Sequence, residues 1–245
     1  MNATQGIHNQ TPIRGLGGNI DYALETRNLS RHFDLGERKV RALEEVNFRV
    51  QPGESVAIVG PSGGGKSTLL ALLGGLDVPT SGQVLMNGQD LYAMTEHERV
   101  QLRRGHLGYI FQGYDLLPAL SVLENVEYPL LVSGLEPKQR RDRARAMLKE
   151  VGLEGKEHFL PDELSGGQQQ RVGIARCLVG EPRVVLADEP TGNLDIATTD
   201  AILELLQSAT LERGMTLVMV THDPEVAARA DRTVRIRDGK IEANP

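Results

Sequence analysis

The chain has 245 residues, of which 40% are hydrophobic and 24% charged, and its formal net charge is −6. This composition excludes a chain that is disordered throughout, and the acidic balance argues against a nucleic-acid partner. No uncharged apolar run reaches the roughly 18 to 20 residues that a membrane-spanning helix needs, and the polar N-terminus has no apolar signal core. These features predict a cytosolic protein whose contact with a membrane is through a partner.

The first part of the chain predicts an arm followed by short strands. Residues 1–21 are rich in Asn, Gln, Gly and Thr with little periodicity, so we expect a disordered or loosely attached arm. Strands are predicted at Ala23–Leu29 and Val40–Val50, on either side of a turn around Gly36. Further turns are expected at Gln51–Gly53 and Asn87–Gly88.

The rest of the chain is typical of an α/β domain. The runs Ser55–Val59, Val184–Ala187 and Thr216–Val220 are continuously apolar rather than alternating, which indicates strands buried on both faces of a parallel sheet. Residues 113–181 show little strand signal, so we expect a helical subdomain there, inserted into a core formed by residues 22–112 and 182–245. Helices are predicted at Lys66–Leu76, Pro137–Val151, Gly166–Val179, Ile196–Arg213 and Pro224–Ala230.

A polar cluster follows each of the three buried strands. Because ligands of open α/β sheets bind at the carboxyl ends of parallel strands, we expect these clusters to meet in one site. The second cluster is Asp188 and Glu189 before Pro190, and the third contains His222. The first is the run Gly60, Pro61, Ser62, Gly63, Gly64, Gly65, Lys66, Ser67 and Thr68.

The first cluster fits the phosphate-binding loop G-x-x-x-x-G-K-[ST] in its strand–loop–helix context. Its glycines let backbone N–H groups turn inward around phosphate oxygens, and the N-terminus of the following helix favours an anion. Lys66 would add a positive charge for the β and γ phosphates, and Ser67 would present a hydroxyl to Mg²⁺. The alternative, a glycine-rich turn with an exposed lysine, explains less of the pattern.

The two carboxylates after the second strand suit phosphoryl transfer. Asp188 has the place of the residue that holds Mg²⁺ in phosphate-loop nucleotide hydrolases. Glu189 could orient or deprotonate a water that attacks the γ-phosphate. An exposed acidic turn before Pro190 is the alternative, and the phosphate loop makes it the weaker one.

A second anion-binding helix end is predicted at a five-residue motif. Ser165 is a good N-cap residue, and the two glycines that follow leave backbone N–H groups uncovered. Taken alone, the motif could be an ordinary capped helix. Its residues are Leu164, Ser165, Gly166, Gly167 and Gln168.

The phosphate loop, the motif of residues 164–168 and the strand Val184–Asp188, in that order, resemble the ABC ATPase superfamily. The resemblance covers nearly everything from Tyr22 to Glu242. It is closest to the branch of lipoprotein-releasing and macrolide-exporting ATPases, whose partners are permeases of the cell-division type. It implies a RecA-like phosphate-loop core with an antiparallel β subdomain and an inserted helical subdomain.

The resemblance also implies roles for individual residues. Gln112 would contact Mg²⁺ and sense the γ-phosphate, residues 164–168 would be the signature motif, and His222 would contact the γ-phosphate. Asn193 and Asp195 would belong to a loop that couples two nucleotide sites. Phe33 has the place of an aromatic residue that stacks on adenine, although a tyrosine is commoner there, and Gly64 stands where many relatives have serine.

In the family, two chains pack head to tail around two ATP molecules, and the signature of one chain closes on the γ-phosphate of the other. The resemblance therefore implies an ATPase that uses ATP and Mg²⁺, pairs with a second copy and drives a membrane permease from the cytoplasmic face of the inner membrane. The cargo would be a lipoprotein, peptide or drug-like compound. Two alternatives stay open: a regulatory ATPase that signals through a permease-like partner without transport, and a soluble ABC protein of DNA repair or translation.

Overall fold

The computed structural model describes residues 22–36 and 38–242. The arm predicted for residues 1–21 lies outside the described residues. The strands are β1 Leu24–Leu35, β2 Arg38–Val50, β3 Ser55–Val59, β4 Ser81–Met86, β5 Gln89–Asp90, β6 Leu107–Ile110, β7 Val184–Asp188, β8 Thr216–Val220, β9 Arg232–Arg237 and β10 Lys240–Ile241. The helices are α1 Lys66–Leu73, α2 Glu96–His106, α3 Val122–Val132, α4 Pro137–Glu150, α5 Gly166–Leu178, α6 Ile196–Arg213 and α7 Pro224–Ala227, with a 3-10 turn at Pro161–Glu163.

One sheet is antiparallel, with the strand order β2-β1-β4-β5. β1 pairs with β2 across the turn at Gly36, whose φ of 64° is the left-handed conformation that glycine adopts without strain. Asn87 and Gly88 both have positive φ, which is the geometry of a tight hairpin turn, and they connect β4 to β5. The turns predicted at Gly36 and at Asn87–Gly88 are confirmed.

The other sheet has the order β10-β9-β3-β8-β7-β6, and all its pairings except β10 with β9 are parallel. β8 lies between β3 and β7, so the three strands predicted from continuous apolar runs are neighbours at the centre of the sheet. Nearly all their residues are buried, because helices and the antiparallel sheet cover both faces. Their carboxyl ends meet at one edge, as predicted, and this mixed architecture confirms the fold class.

Helices α3, α4 and α5 pack on one another through a shared apolar cluster. Leu130, Leu148 and Val172 are buried there, one from each helix. Residues 113–181, all of them described, form helices, turns and loops but no strand. This is the composition predicted for a helical subdomain, and the assignment of its limits stays a prediction.

Two predicted helices were too long by three residues, and those predicted at Pro137–Val151 and Gly166–Val179 by one. α1 ends at Leu73 instead of Leu76, because Gly74 caps it and Gly75 turns the chain with a φ of 64°. α7 ends at Ala227 instead of Ala230, because the next backbone bonds tighten to the i→i−3 type, from Arg229 N to Val226 O. The strands β4, β5, β6, β9 and β10 and the helices α2 and α3 had no counterpart in the sequence-based assignment.

Candidate functional site

The phosphate loop joins β3 to α1 and lies against the backbone of two other strands. Gly65 has a φ of 103°, and a Cβ there would stand 2.5 Å from the Ala42 carbonyl oxygen of β2. A Cβ on Gly60, whose φ is 155°, would overlap the Ile236 carbonyl oxygen of β9. Only glycine fits both positions, so the close backbone packing fixes the shape of the loop.

Lys66 lies over this loop. Its Nζ donates to the carbonyl oxygens of Gly60 and Pro61, both at 2.9 Å. The ammonium group is thus held above the loop at the first turn of α1, where the helix N-terminus already favours negative charge. Ser67, the next residue, is exposed beside it. The arrangement is a concentrated positive site suited to phosphate oxygens.

Asp188 ends β7 next to the loop. Burial raises the pKa of its carboxyl group above the ordinary value, and the negative charge of Glu189 adds to this. The Ser67 hydroxyl and the Lys66 ammonium act in the opposite direction. A half-buried carboxylate that is costly to ionise alone is stabilised when a cation binds to it.

The predicted magnesium ligands Asp188, Ser67 and Gln112 fit the ion by their chemistry. Asp188 supplies a carboxylate, Ser67 a hydroxyl and Gln112 an amide oxygen, which are the hard ligands that this ion prefers. Among residues 22–36 and 38–242, no group of three His, Cys, Asp or Glu side chains could hold a metal. One carboxylate matches the way Mg²⁺ binds when substrate phosphates complete its shell. Gln112 is exposed two residues beyond β6, the edge strand that pairs with β7.

Glu189 and His222 form a hydrogen-bonded pair at the ends of β7 and β8. His222 Nδ1 lies 2.8 Å from Glu189 Oε1, and the bond and the charge of the carboxylate raise the pKa of His222 above 6.5. Glu189 has a φ of 47°, and its N–H donates to the Val220 carbonyl oxygen at 3.0 Å. The left-handed backbone is strained for a glutamate, and this bond helps to hold it.

The motif at residues 164–168 begins α5 with a reciprocal cap. The Gln168 N–H donates to Ser165 Oγ at 3.4 Å, and the Ser165 N–H donates to Gln168 Oε1 at 3.0 Å. The N-cap prediction for Ser165 is confirmed. Leu164 is buried and anchors the motif, while Gly166 and Gly167 form the first turn of the helix. Gly166 and Gly167 have no side chains of their own over this first turn, which suits an anion, and the Tyr114 hydroxyl lies 2.7 Å from where a Cβ on Gly166 would stand.

The loop that contains Asn193 and Asp195 packs beside that first turn. A Cβ on Gly167 would stand 3.1 Å from the Asn193 carbonyl oxygen. Asp195 is the N-cap of α6, since its Oδ1 accepts a bond from the Thr198 N–H at 3.0 Å. The bonds from Thr198 lower the pKa of this carboxyl group. The motif and the predicted coupling loop are thus in contact within one chain.

Two α5 residues that the sequence analysis missed connect the motif to other parts of the site. Gln170 is 1% exposed, and its Nε2 donates to the Pro190 carbonyl oxygen at 3.0 Å, directly after Glu189. Arg176 donates to the carbonyl oxygens of Asp115 at 2.7 Å and Tyr114 at 3.2 Å, in the loop after Gln112. No signal in the sequence pointed to the role of Gln170, which lies in a run of polar residues, whereas Arg176 is a single cation among apolar residues of the helix.

Phe33 lies near the end of β1, with the Arg31 guanidinium over its ring. Cys177 of α5 is buried, and burial raises the pKa of its thiol to about 12. The structure thus places the loop, Asp188, Glu189, His222 and Gln112 along one sheet edge. The motif at residues 164–168 belongs to α5, outside that edge.

Comparisons with known proteins agree with this geometry. The sequence model of the family described as "ABC transporter" matches residues 43–192. An uncharacterized ABC transporter ATP-binding protein of Thermotoga maritima is 50% identical over 219 residues, 89% of this chain and 93% of that protein. The macrolide export ATP-binding/permease protein MacB of Chromobacterium violaceum is 49% identical over 218 residues, 89% of this chain and 34% of MacB. The chain therefore spans about a third of the MacB length.

Among solved structures, the dimeric bacterial ABC transporter cassette MJ0796 superposes with a TM-score of 0.87 at 41% identity, covering 90% of this chain and 97% of that one. A second MJ0796 structure, a post-hydrolysis dimer bound to ADP and Pi, gives the same values. CbiO1 from Clostridium perfringens, part of the CbiONQ transporter complex, has a TM-score of 0.78 at 31% identity, over 91% of this chain and 88% of that one.

Proposed function

This chain belongs to the ABC transporter family and is an ATP hydrolase, and from that premise we propose that it is the motor subunit for a separate membrane permease. The observation that carries the proposal is the convergence of Lys66, Asp188 and the Glu189–His222 pair at one sheet edge. That edge offers a positive site for phosphates and a carboxylate beside it, which is what hydrolysis of a triphosphate needs.

We assign the hydrolytic roles as follows. Lys66 and the N–H groups at the start of α1 bind and orient the β and γ phosphates. Ser67, Asp188 and Gln112 would hold Mg²⁺, which supplies charge neutralisation on those phosphates when it is bound. Glu189 accepts a proton from the attacking water, and His222 fixes the orientation of the Glu189 carboxylate through the 2.8 Å bond.

We further propose that two copies pair head to tail around two ATP molecules. The motif at residues 164–168 belongs to α5 and not to the sheet edge, so it is available to a nucleotide held by another copy. Its capped, glycine-lined first turn suits a γ-phosphate. The dimeric MJ0796 cassettes support such a pairing.

The permease would bind at a groove between α3 and the β6 edge of the parallel sheet. The groove encloses about 310 Å³, and its walls include Tyr109, Phe111 and Tyr128. Tyr128, Leu131 and Val132 of α3 expose apolar surface, with 46%, 52% and 40% of each residue accessible. The groove, together with the exposed apolar residues of α3, suits a helix from a permease. Within the described residues no helix is long and apolar enough to cross a membrane.

The proposed transport activity is export or extraction of a lipoprotein, peptide or drug-like compound, powered from the cytoplasmic face of the membrane. The MacB relatives, named for macrolide export, support transport over the regulatory alternative.

The test uses the purified chain together with its permease reconstituted in vesicles. We expect phosphate release from ATP, and stimulation of that release by the permease. Leu131→Glu should abolish stimulation while the basal rate of the free chain is kept, and Leu211→Glu, an equally exposed leucine at the end of α6, should behave like the parent. Stimulation that survives Leu131→Glu would reject the exposed face of α3 as part of the docking site, and absence of any phosphate release would reject the motor role.

A further inference from the structure

We propose that Arg31 is a positioning residue that fixes the Phe33 ring as the platform for adenine, and that Asp77 anchors Arg31 to the segment after the phosphate-loop helix. The inference rests on the proposed function, because it takes Phe33 as the base-stacking residue. It adds a mechanical link between the two ends of the nucleotide site.

The side chains form a chain of contacts from the aromatic ring to the end of α1. The Arg31 guanidinium lies over the Phe33 ring, with Cζ 4.4 Å from the ring centroid. The same guanidinium makes a bidentate pair with Asp77, from Nε to Oδ2 at 2.8 Å and from Nη2 to Oδ1 at 2.7 Å. The side chains of Arg31 and Asp77 are only 23% and 27% exposed. Such a fork is rigid, so the guanidinium plane has a fixed place.

The backbone of the same strand segment is tied to the same loop. The His32 N–H donates to Thr80 Oγ1 at 2.9 Å, and the Thr80 N–H donates to the Ser30 carbonyl oxygen at 2.8 Å. The ladder between β1 and β4 ends at Ser30 and Ser81, so these bonds continue the attachment toward Phe33. Ser30 and His32 are thereby held to the loop between α1 and β4.

That loop is itself fixed to the phosphate-loop helix. The Tyr92 hydroxyl lies 2.8 Å from the Leu72 carbonyl oxygen and 2.6 Å from the Asp77 carbonyl oxygen. It therefore connects the last turn of α1 to Asp77, the residue that holds Arg31. Lys66 stands at the first turn of the same helix. The phosphate end and the proposed adenine end are thus connected through one rigid helix, and their separation is set before any nucleotide binds.

The Arg31 guanidinium covers one face of the Phe33 ring. We assign the opposite face to the base. A cation over one face attracts electron density in the ring, and it holds the ring in a single orientation, which reduces the entropy lost when adenine stacks.

The experiment compares binding of ATP with binding of inorganic tripolyphosphate, which has no base, by calorimetry in the presence of Mg²⁺. We expect Arg31→Met to weaken ATP binding about three- to tenfold and to leave tripolyphosphate binding unchanged. Arg31→Lys should recover little, because lysine cannot form the fork. Arg27→Met is the matched control, since Arg27 also pairs with a carboxylate on β1 but is 54% exposed, and it should change neither affinity.

Each result decides one part of the inference. Equal weakening of ATP and tripolyphosphate by Arg31→Met would mean a general structural role and would overturn the proposal. Phe33→Ala separates the stacking role of Phe33 from the positioning role of Arg31. If this variant keeps the ATP affinity of the parent, Phe33 is not the adenine platform, and its assignment to the nucleotide site is wrong. If Phe33→Ala weakens ATP alone while Arg31→Met has no effect, the stacking role stands and the role of Arg31 is rejected.

Discussion

His222 Nδ1 lies 2.8 Å from Glu189 Oε1, and this bond joins the ends of the neighbouring strands β8 and β7. The two residues are 33 positions apart in the sequence, yet they form one hydrogen-bonded pair. His222 has a raised pKa because it donates to the carboxylate and experiences its negative charge.

The first prediction concerns that titration. Glu189→Gln removes the charge, so the pKa of His222 should fall toward the ordinary 6.5. Because the folded-state pKa is raised, the pair stabilises the folded chain fully below about pH 6.5, and this contribution is lost as pH rises through the higher folded value. NMR titration of the His222 ring protons measures the pKa in both proteins. An unchanged pKa in the variant would mean that the pair does not persist in solution.

The second prediction concerns hydrolysis by the same variant. Glu189→Gln should retain ATP binding and lower phosphate release by about 10²- to 10⁴-fold, the usual contribution of a general base. Nucleotide should then accumulate between two copies, and light scattering in ATP should show a stable dimer. Glu212→Gln, at an exposed position in the last turn of α6, is the control and should turn over normally. A normal rate in Glu189→Gln would remove Glu189 from the proposed role.

The third prediction concerns Lys66. Its ammonium donates to two carbonyl oxygens of the loop, and phosphate oxygens would compete with them for it. Lys66→Ala should weaken binding of both ATP and tripolyphosphate at least tenfold, since a charge-assisted contact is lost. Calorimetric titration measures both affinities. Loss of ATP affinity with tripolyphosphate affinity kept would contradict a phosphate-binding role.

The fourth prediction separates the cap from the signature role of Ser165. Ser165→Ala and Ser121→Ala remove the same kind of N-cap, with bonds of 3.4 and 3.3 Å from the third helical N–H, at α5 and α3. Each should lower the free energy of unfolding by about 1 kcal/mol. Only Ser165→Ala should also impair ATP-driven dimerisation in the Glu189→Gln background. Equal dimerisation of the two variants would show that Ser165 acts only as a cap.

The fifth prediction concerns Gln170. Gln170→Leu leaves the Pro190 carbonyl oxygen without its donor, which should cost about 1–3 kcal/mol of stability and reduce the hydrolysis rate more than the ATP affinity. Gln207→Leu loses a similar bond, to the Arg229 carbonyl oxygen at 2.8 Å, on an exposed part of α6. It should leave hydrolysis unchanged. Equal rates in the two variants would exclude a role for Gln170 in positioning Glu189.

The sequence predicted best those parts of the fold in which one residue pattern had a single physical explanation. Continuous apolar runs at Ser55–Val59 and Thr216–Val220 can satisfy burial on both faces only inside a parallel sheet, and both strands have the predicted bounds. The strand β9 was missed because arginines alternate with its apolar residues and resemble a solvated segment. Helix α2 was missed because its residues are mostly polar, and the reciprocal cap between Thr95 and Glu98 begins it.

In the candidate site, too, some residues could be predicted from the sequence and others could not. The phosphate loop and the carboxylates could be predicted because their spacing along the chain is itself the signal. Arg31, Gln170 and Arg176 could not, because each acts through a carbonyl oxygen or a side chain that is distant in sequence. The separation between Arg31 and Asp77 is 46 residues, and that between Arg176 and Asp115 is 61. Such pairs are visible only once the chain has folded.

Arg176 has a further consequence, because its guanidinium both forms part of the groove wall and holds the carbonyl oxygens of Tyr114 and Asp115. A helix seated in that groove would rest against the same group that ties α5 to the segment after Gln112. Binding of a permease helix in the groove and the position of the loop after Gln112 would therefore be coupled through the Arg176 side chain.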